Sequence, residues 1–361
     1  VTTALLAGGG TAGHVNPLLA LADHWRAVEP EVGILALGTA GGLEERLVPA
    51  RGYELLTIAR VPFPRRPNAA ALRFPSAFRG AVAQSRAIIR DRGVDVVVGF
   101  GGYASAPAYV AARLERVPIV AHEANARPGI ANRLAGWLGG RVGTTFPGTP
   151  LRGARVVGMP LRREIVELDR AAARPEAMAF FDLDGSRPTL LVTGGSTGAR
   201  RLNETVSASI AHLLGSGWNV LHITGRDRGG DDPGLPGYRV LEYCDRMDLA
   251  FAAADLVVCR SGSATVSELA AVGLPAILVP YPVGNGEQRL NARELVAAGG
   301  ARLVDDAAFT PAFVSDELVP LLTGRAEVAR MAAAAQSVGR RDGSAALLAL
   351  VREALGAERV G

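Results

Sequence analysis

Thr189-Leu190-Leu191-Val192-Thr193-Gly194-Gly195-Ser196-Thr197-Gly198 is an apolar run of strand length that passes directly into a glycine-rich loop. It repeats the start of the chain, where Ala4-Leu5-Leu6-Ala7 runs into Gly8-Gly9-Gly10-Thr11-Ala12-Gly13. A sheet pattern that begins afresh in the middle of 361 residues predicts two doubly wound domains in tandem, each large enough for its own core. The boundary is expected at Val157-Gly158-Met159-Pro160, giving domains at 1–158 and 159–339. Residues 340–361 carry a helical apolar pattern expected to return to the first domain.

Outward from these two runs, apolar segments alternate with longer amphipathic stretches, the pattern of βα units feeding parallel sheets. Strands are predicted at 4–7, 32–37, 94–98, 118–121 and 155–157, then at 189–193, 219–223, 238–241, 256–259 and 276–280. Residues 165–187 read as a polar, Ala-rich helix and loop. The fold class is therefore α/β, two Rossmann-like doubly wound domains facing a cleft, and a cleft is the natural place for a site.

Composition agrees. Hydrophobic residues make up 48% and aromatics 5%, with 44 glycines, which suits Ala/Val/Leu packing and many tight strand-to-helix turns. The net charge of +4 comes from arginine, for the chain has no lysine. That balance suits nucleic acid, an anionic membrane face or a pyrophosphate, and does not choose among them. The arginines are dispersed and no nucleic-acid module is present, so nucleic acid is not an expected partner. Cys244 and Cys259 lack metal-ligand spacing, which argues against a disulfide framework or zinc site and for a reducing cytosol. No apolar stretch approaches bilayer length, so membrane contact is expected to be peripheral.

Three strand-end glycine loops carry the chemistry: Gly8 to Gly13, Gly99-Phe100-Gly101-Gly102-Tyr103, and Gly194 to Gly198. Such loops present backbone N–H groups to anions, although each also reads as a turn that needs glycine for sterics alone. The first satisfies G-x-G-x-x-G, but its second strand ends in Leu37-Gly38-Thr39 without the carboxylate that a dinucleotide ribose wants. A nicotinamide oxidoreductase is disfavoured for that reason.

His14 closes the first loop and reads as general base, helix cap or phosphate donor. Arg260-Ser261-Gly262-Ser263-Ala264-Thr265-Val266-Ser267-Glu268 leaves a buried strand and begins a helix. Glu268 either closes a capping box with Thr265 or accepts the two ribose hydroxyls of a nucleotide. Gln288 and Asn291 lie three apart on the next helix, two amides on one face suited either to sugar hydroxyls or to solvent. Asp182-Leu183-Asp184 imitates a D-x-D metal motif but sits in a turn-rich segment, and no metal and no cofactor are expected.

The segments GGGTAGHVNPLLALA (8–22), GFGGYASAP (99–107), HEANARPG (122–129), FPG (146–148), VVGMPLR (156–162), GGSTGAR (194–200), CRSGSATVSELAAVGLPAILVPYP (259–282) and EQRLNA (287–292) form a series in fixed order over nearly the whole chain. In that order the chain resembles the MurG family, UDP-N-acetylglucosamine (UDP-GlcNAc) transferases acting on undecaprenyl-pyrophosphoryl-N-acetylmuramyl-pentapeptide (lipid I). The resemblance implies the two-domain GT-B architecture and an inverting, metal-independent transfer to the muramyl 4-hydroxyl, making lipid II for peptidoglycan.

By the same resemblance the C-terminal domain holds the donor. Cys244 meets uracil through its backbone, Glu268 takes the ribose, and Ser196 with the run Ser263, Ala264, Thr265, Val266 and Ser267 lines the diphosphate, with Arg162 nearby and Gln288 on the sugar. From the N-terminal domain Thr11, Ala12, Gly13 and Asn125 complete the donor site. Gly101, Gly102 and Tyr103 hold the acceptor pyrophosphate, His14 is the base and Glu123 a helper. The family also implies the cytoplasmic face of the bacterial plasma membrane and protein partners from wall synthesis.

Residues 61–90 suit that location, with Phe63, Leu72, Phe74 and Phe78 interspersed among Arg65, Arg66, Arg73 and Arg79, an apolar patch ringed by arginine for anionic lipid. The chain departs from the family pattern at Ala12 (commonly glycine), Met159 (asparagine), Thr197 (glutamine) and Glu287 (glutamine), and Ser263-Ala264 softens the usual pair. Thr197 and Glu287 put individual sugar contacts in question. A relative with a soluble acceptor, a UDP-sugar epimerase of similar shape, and a non-catalytic UDP-sugar-binding protein are the competing readings.

Overall fold

The computed structural model describes all residues except 65–68, 227–231, 284 and 359–361. Two compact units emerge: Val1–Arg163 with Arg341–Gly361, and Glu164–Arg340.

The first unit is built on a seven-stranded parallel sheet of β1 (Thr3–Ala7), β2 (Gly33–Thr39), β3 (Glu54–Ile58), β4 (Val96–Gly99), β5 (Ile119–Glu123), β6 (Arg141–Thr144) and β7 (Ala154–Val156), in the order β3-β2-β1-β4-β5-β6-β7. Central strands such as β1, beyond its first residue Thr3, and β4 are apolar because helices cover both faces. On one face the helix Ala12–Val28 packs Leu18, Leu21 and Trp25 against Leu347, Leu348, Val351 and Ala354 of the C-terminal helix Gly343–Glu358. Glu353 of that helix pairs with Arg155 at 2.8 Å and Arg141 at 3.3 Å. On the other face the helices Ala69–Asp91 and Ser105–Glu115 bury Ala81, Val82, Ala108 and Tyr109.

The second unit has a six-stranded parallel sheet of β8 (Thr189–Thr193), β9 (Asn219–Ile223), β10 (Tyr238–Leu241), β11 (Leu256–Cys259), β12 (Ala276–Leu278) and β13 (Ala301–Leu303), ordered β10-β9-β8-β11-β12-β13. β3, β6 and β13 escape the reading of strands from sequence. β6 contains Arg141 and Gly143, β13 is only three residues long, and β3 carries a partly exposed edge pattern. Each pairs in parallel register with a neighbour that the apolar pattern did reveal.

Both sheets reverse winding direction at one place: between β1 and β4 in the first unit, between β8 and β11 in the second. At such a switch point the connections leave the strand ends in opposite directions and open a crevice. The register sets Ala7 beside Gly99, and Thr193 beside Cys259. The glycine loops singled out from sequence therefore come off the paired strand ends of each switch point.

Candidate functional site

In the first unit the loop after β1 meets the loop after β4. Gly102 has φ +82°, and a Cβ there would lie 2.6 Å from the Gly9 carbonyl oxygen, so only glycine lets the two backbones approach. Ser105, fully buried, stitches the junction: its hydroxyl accepts from the Gly101 N–H at 3.1 Å and lies within donating distance of the carbonyls of Ala7 (2.8 Å) and Gly101 (2.7 Å).

His14 stands on this junction. Its Nδ1 lies 3.0 Å from the Gly9 carbonyl and 3.3 Å from Thr11 Oγ1. A carbonyl only accepts, so the shorter contact assigns the proton to Nδ1 and leaves the neutral ring's lone pair on Nε2. Nε2 faces Gly101, where a Cβ would come within 3.0 Å of it. His14 thus carries a half-buried acceptor nitrogen toward the second loop, the geometry of a base.

Glu123 is the terminal residue of β5 and is buried. Its carboxylate accepts from the N–H groups of Asn125 and Gly129 and from Asn132 Nδ2, all at 2.9 Å. Asn132 in turn accepts from the Tyr109 hydroxyl at 3.0 Å. Three donors on one buried carboxylate describe a group that folds the loop bearing Asn125, not one placed to take a proton. Burial, and next Glu123, push the Tyr109 hydroxyl well above the ordinary tyrosine range, which keeps it a donor. Beside it His122 is buried, donates from Nε2 to the Gly158 carbonyl at 2.9 Å, and is held down to about 4 by burial. Tyr103 is half-buried, with the Arg60 guanidinium 4.8 Å over its ring.

The structure adds a carboxylate that sequence reading missed. β2 ends without one, but Glu44, five residues on, turns back and is buried at 1% exposure against the first glycine loop. Its carboxylate accepts from Gly10 N–H at 2.8 Å and Thr39 N–H at 3.0 Å. The Gly10 N–H expected to meet a ligand's anion is therefore filled by the protein itself. The cluster Gly38, Gly41 and Gly42 just before Glu44 was the available signal.

In the second unit the helix Ser263–Ala271 follows β11, with Gly262 as its N-cap and no side-chain cap. Glu268 is thus the sixth residue of the helix, and the capping-box alternative fails because Thr265 lies inside the first turn. The Val266 N–H is taken by the Gly262 carbonyl at 3.0 Å and its side chain is buried, so Val266 offers a ligand neither. Ser263, Ala264 and Thr265 occupy the first turn, where helix N–H groups and the dipole favour an anion. Glu268 and Ser267 are half-buried one turn further on.

Opposite, across the switch point, Gly195 (φ +82°) and Gly198 (φ +68°) shape the loop after β8, leaving Ser196 exposed with its carbonyl accepting from Arg226 N–H at 3.3 Å. Arg226 stacks 4.2 Å over Tyr243, next to Cys244. Burial pushes the Cys244 thiol up to about 11, so it is a neutral thiol and not a thiolate. Gln288 accepts from Tyr281 N–H at 2.9 Å, which leaves its NH2 group directed elsewhere. Asn291 does not share that face: it is fully buried and donates to the Ser261 carbonyl at 3.4 Å. Arg260 pairs with Asp306 at 2.6 Å and donates to the carbonyls of Val279 and Pro280 at 3.1 and 3.2 Å, fixing the turn from which Tyr281 and Gln288 hang. Arg162 lies half-buried in the segment that ends the first unit.

The D-x-D carboxylates are engaged internally. Asp184 accepts from Ser186 N–H at 2.9 Å and Oγ at 2.6 Å, and Asp182, at φ +51°, pairs with Arg239. In the segment expected to touch lipid, Phe63 and Leu72 are exposed, whereas Phe74 and Phe78 are half-buried; Phe63 meets Phe74 edge-on at 5.0 Å, and Phe74 stacks on Phe78 at 5.5 Å. Arg73 and Arg79 are exposed, and Arg65 and Arg66 lie outside the described residues. Among the described residues no helix is long and apolar enough to cross a membrane.

Comparison with known proteins gives a consistent result. Residues 4–144 match the glycosyltransferase family 28 N-terminal domain and residues 189–347 its C-terminal domain. The chain is 62% identical, over 99% of its length and 100% of the relative, to the UDP-N-acetylglucosamine--N-acetylmuramyl-(pentapeptide) pyrophosphoryl-undecaprenol N-acetylglucosamine transferase of Leifsonia xyli subsp. xyli. The similarly named transferase of Clavibacter sepedonicus is 62% identical over 98% of the chain and 97% of its own length. Among solved structures, Acinetobacter baumannii MurG superposes with a TM-score of 0.79 at 27% identity, covering 98% of this chain and all of the other.

Proposed function

The chain belongs to glycosyltransferase family 28, and we propose that it moves N-acetylglucosamine from UDP-GlcNAc to the muramyl 4-hydroxyl of lipid I, forming lipid II for peptidoglycan. The observation that carries this is the 62% identity to the Leifsonia transferase across essentially both full lengths.

In the reaction His14 Nε2 takes the proton from the acceptor hydroxyl as its oxygen attacks the anomeric carbon from the side opposite UDP, giving a β-linked product. The Gly101-Gly102-Tyr103 loop holds the acceptor pyrophosphate. In the second unit the first turn Ser263–Thr265 and the loop carrying Ser196 receive the donor diphosphate and stabilise the charge that builds on the departing UDP. Glu268 accepts the ribose hydroxyls, the backbone at Cys244 meets uracil, and the Gln288 NH2 group reaches the sugar. Asn125 and the run Thr11, Ala12 and Gly13 complete the donor contacts, with Arg162 beside them. These remote contacts orient the sugar for attack. Glu123 serves by shaping the Asn125 loop. Helix dipole and arginine supply the electrostatics, so the transfer runs without a metal. The exposed Phe63 and Leu72 with Arg73 and Arg79 dock the first unit on the anionic cytoplasmic face of the plasma membrane.

The test is incubation with UDP-GlcNAc and a lipid I analogue in EDTA, with the product linkage read by NMR. A β-linked disaccharide on the lipid is expected. Isomerised donor without acceptor, or turnover only with soluble acceptors, contradicts the proposal.

A further inference from the structure

The Gly9–Gly10 peptide touches a functional group at each end. Its N–H, on Gly10, donates to Glu44 Oε2 at 2.8 Å. Its carbonyl, on Gly9, accepts from His14 Nδ1 at 3.0 Å. No peptide in the described chain is cis, so the two groups of this planar unit point in opposite directions and the three partners lie in series. We propose that Glu44 is a positioning residue for His14, acting through this single peptide to fix the imidazole's tautomer and direction.

The surroundings are built for it. A Cβ on Gly9, Gly38 or Gly42 would collide with the Glu44 side chain, so three glycines, from the first loop, from β2 and from the turn after it, leave the space it fills. Its other oxygen is anchored by Thr39 N–H at 3.0 Å, at the end of β2. A peptide lying between two glycines is among the easiest to rotate, since neither neighbour has a Cβ to resist, and Gly10 already sits at φ +84°. Rotation would turn the N–H toward His14 in place of the carbonyl, favour the opposite tautomer and remove the lone pair from Nε2. A carboxylate on the N–H opposes that rotation and polarises the carbonyl that receives the imidazole proton. Sequence reading finds no carboxylate partner for this histidine because the link passes through the backbone.

The role rests on the transferase reading for its catalytic consequence, but not for its structural one. The experiment uses the full chain with 15N-labelled histidine at alkaline pH, assigns His14 by its loss in His14→Gln, and compares wild type with Glu44→Gln. The isosteric amide must turn its NH2 against Gly10 or Thr39, so one of the two bonds is lost. The expected result is an Nδ1-protonated ring in wild type and a mixed or Nε2-protonated ring in the variant, with kcat down by about 10–100-fold and donor KM changed by less than about two-fold. Gly42→Ala is the second variant, and it decides the matter where Glu44→Gln does not fold. It keeps the charge, its backbone tolerates a side chain, and its Cβ displaces the carboxylate; the same tautomer change is expected. A folded variant with an unchanged His14 tautomer and unchanged kcat overturns the proposal. Wild type without transfer to the lipid I analogue instead defeats the functional reading and leaves the tautomer comparison standing.

Discussion

His14 Nδ1 and the Gly9 carbonyl oxygen are 3.0 Å apart, and this contact decides which nitrogen of the ring is free to act. With the proton on Nδ1, Nε2 is the basic atom, and it faces the loop after β4. Replacing His14 by alanine is expected to lower kcat by about 10²–10⁴-fold, the usual worth of a positioned base. Donor KM is expected to stay near wild type, because the proposed donor contacts do not include the imidazole. Steady-state kinetics with both substrates varied checks this.

Glu123 is expected to show up in stability. Changing it to glutamine sets an amide NH2 against at least one of its three donors, the N–H groups of Asn125 and Gly129 and the Asn132 amide. A buried donor left unmet costs about 1–3 kcal/mol. Urea unfolding is the check, and the midpoint should fall without a change in slope.

Acid should weaken the fold as pH falls below the ordinary histidine value. Burial holds His122 and His222 down to about 4, below the ordinary histidine value of 6.5. An unfolded chain therefore binds more protons than the native one between about pH 6.5 and 4. The stabilisation is fully present above that window and is lost as pH falls through it, by on the order of 3 kcal/mol per histidine. Unfolding free energies measured across that range should slope downward toward acid, and a folded His222→Gln variant should slope less.

The C-terminal helix is expected to be part of the first unit's core and not an appendage. Leu347 is fully buried among Leu18, Leu21 and Val157. Leu347→Ala is expected to cost about 2–5 kcal/mol, by lost burial and the cavity left behind. Thermal unfolding measures it.

Much of this was legible in the residues. The paired apolar run and glycine loop at 4–13 and 189–198 revealed two doubly wound sheets, because buried parallel strands are continuous apolar runs. β3, β6 and β13 were not legible: short strands at or near the sheet edges keep polar residues and glycine, and pairing with a neighbour defines them more than pattern does. Of the proposed site, the loops and His14 stood out because glycine-rich turns follow the strand ends and His14, one of five histidines, closes the first of them. Glu44 did not, since its meaning depends on a turn-back of five residues that only the fold supplies. Asn291 misled for the same reason, helical spacing showing which residues share a face but not which way it looks.

The central claim is most directly tested by the transfer kinetics of wild type, His14→Ala and Glu268→Ala, using labelled UDP-GlcNAc and a lipid I analogue in EDTA. Glu268 on the ribose should appear as a donor KM raised by about 10–100-fold, the value of one or two charge-assisted hydrogen bonds, with kcat less affected. His14→Ala should show the reverse, a collapse of kcat at nearly constant donor KM. Wild type that is folded, binds UDP-GlcNAc and yet transfers nothing to the lipid would contradict the account.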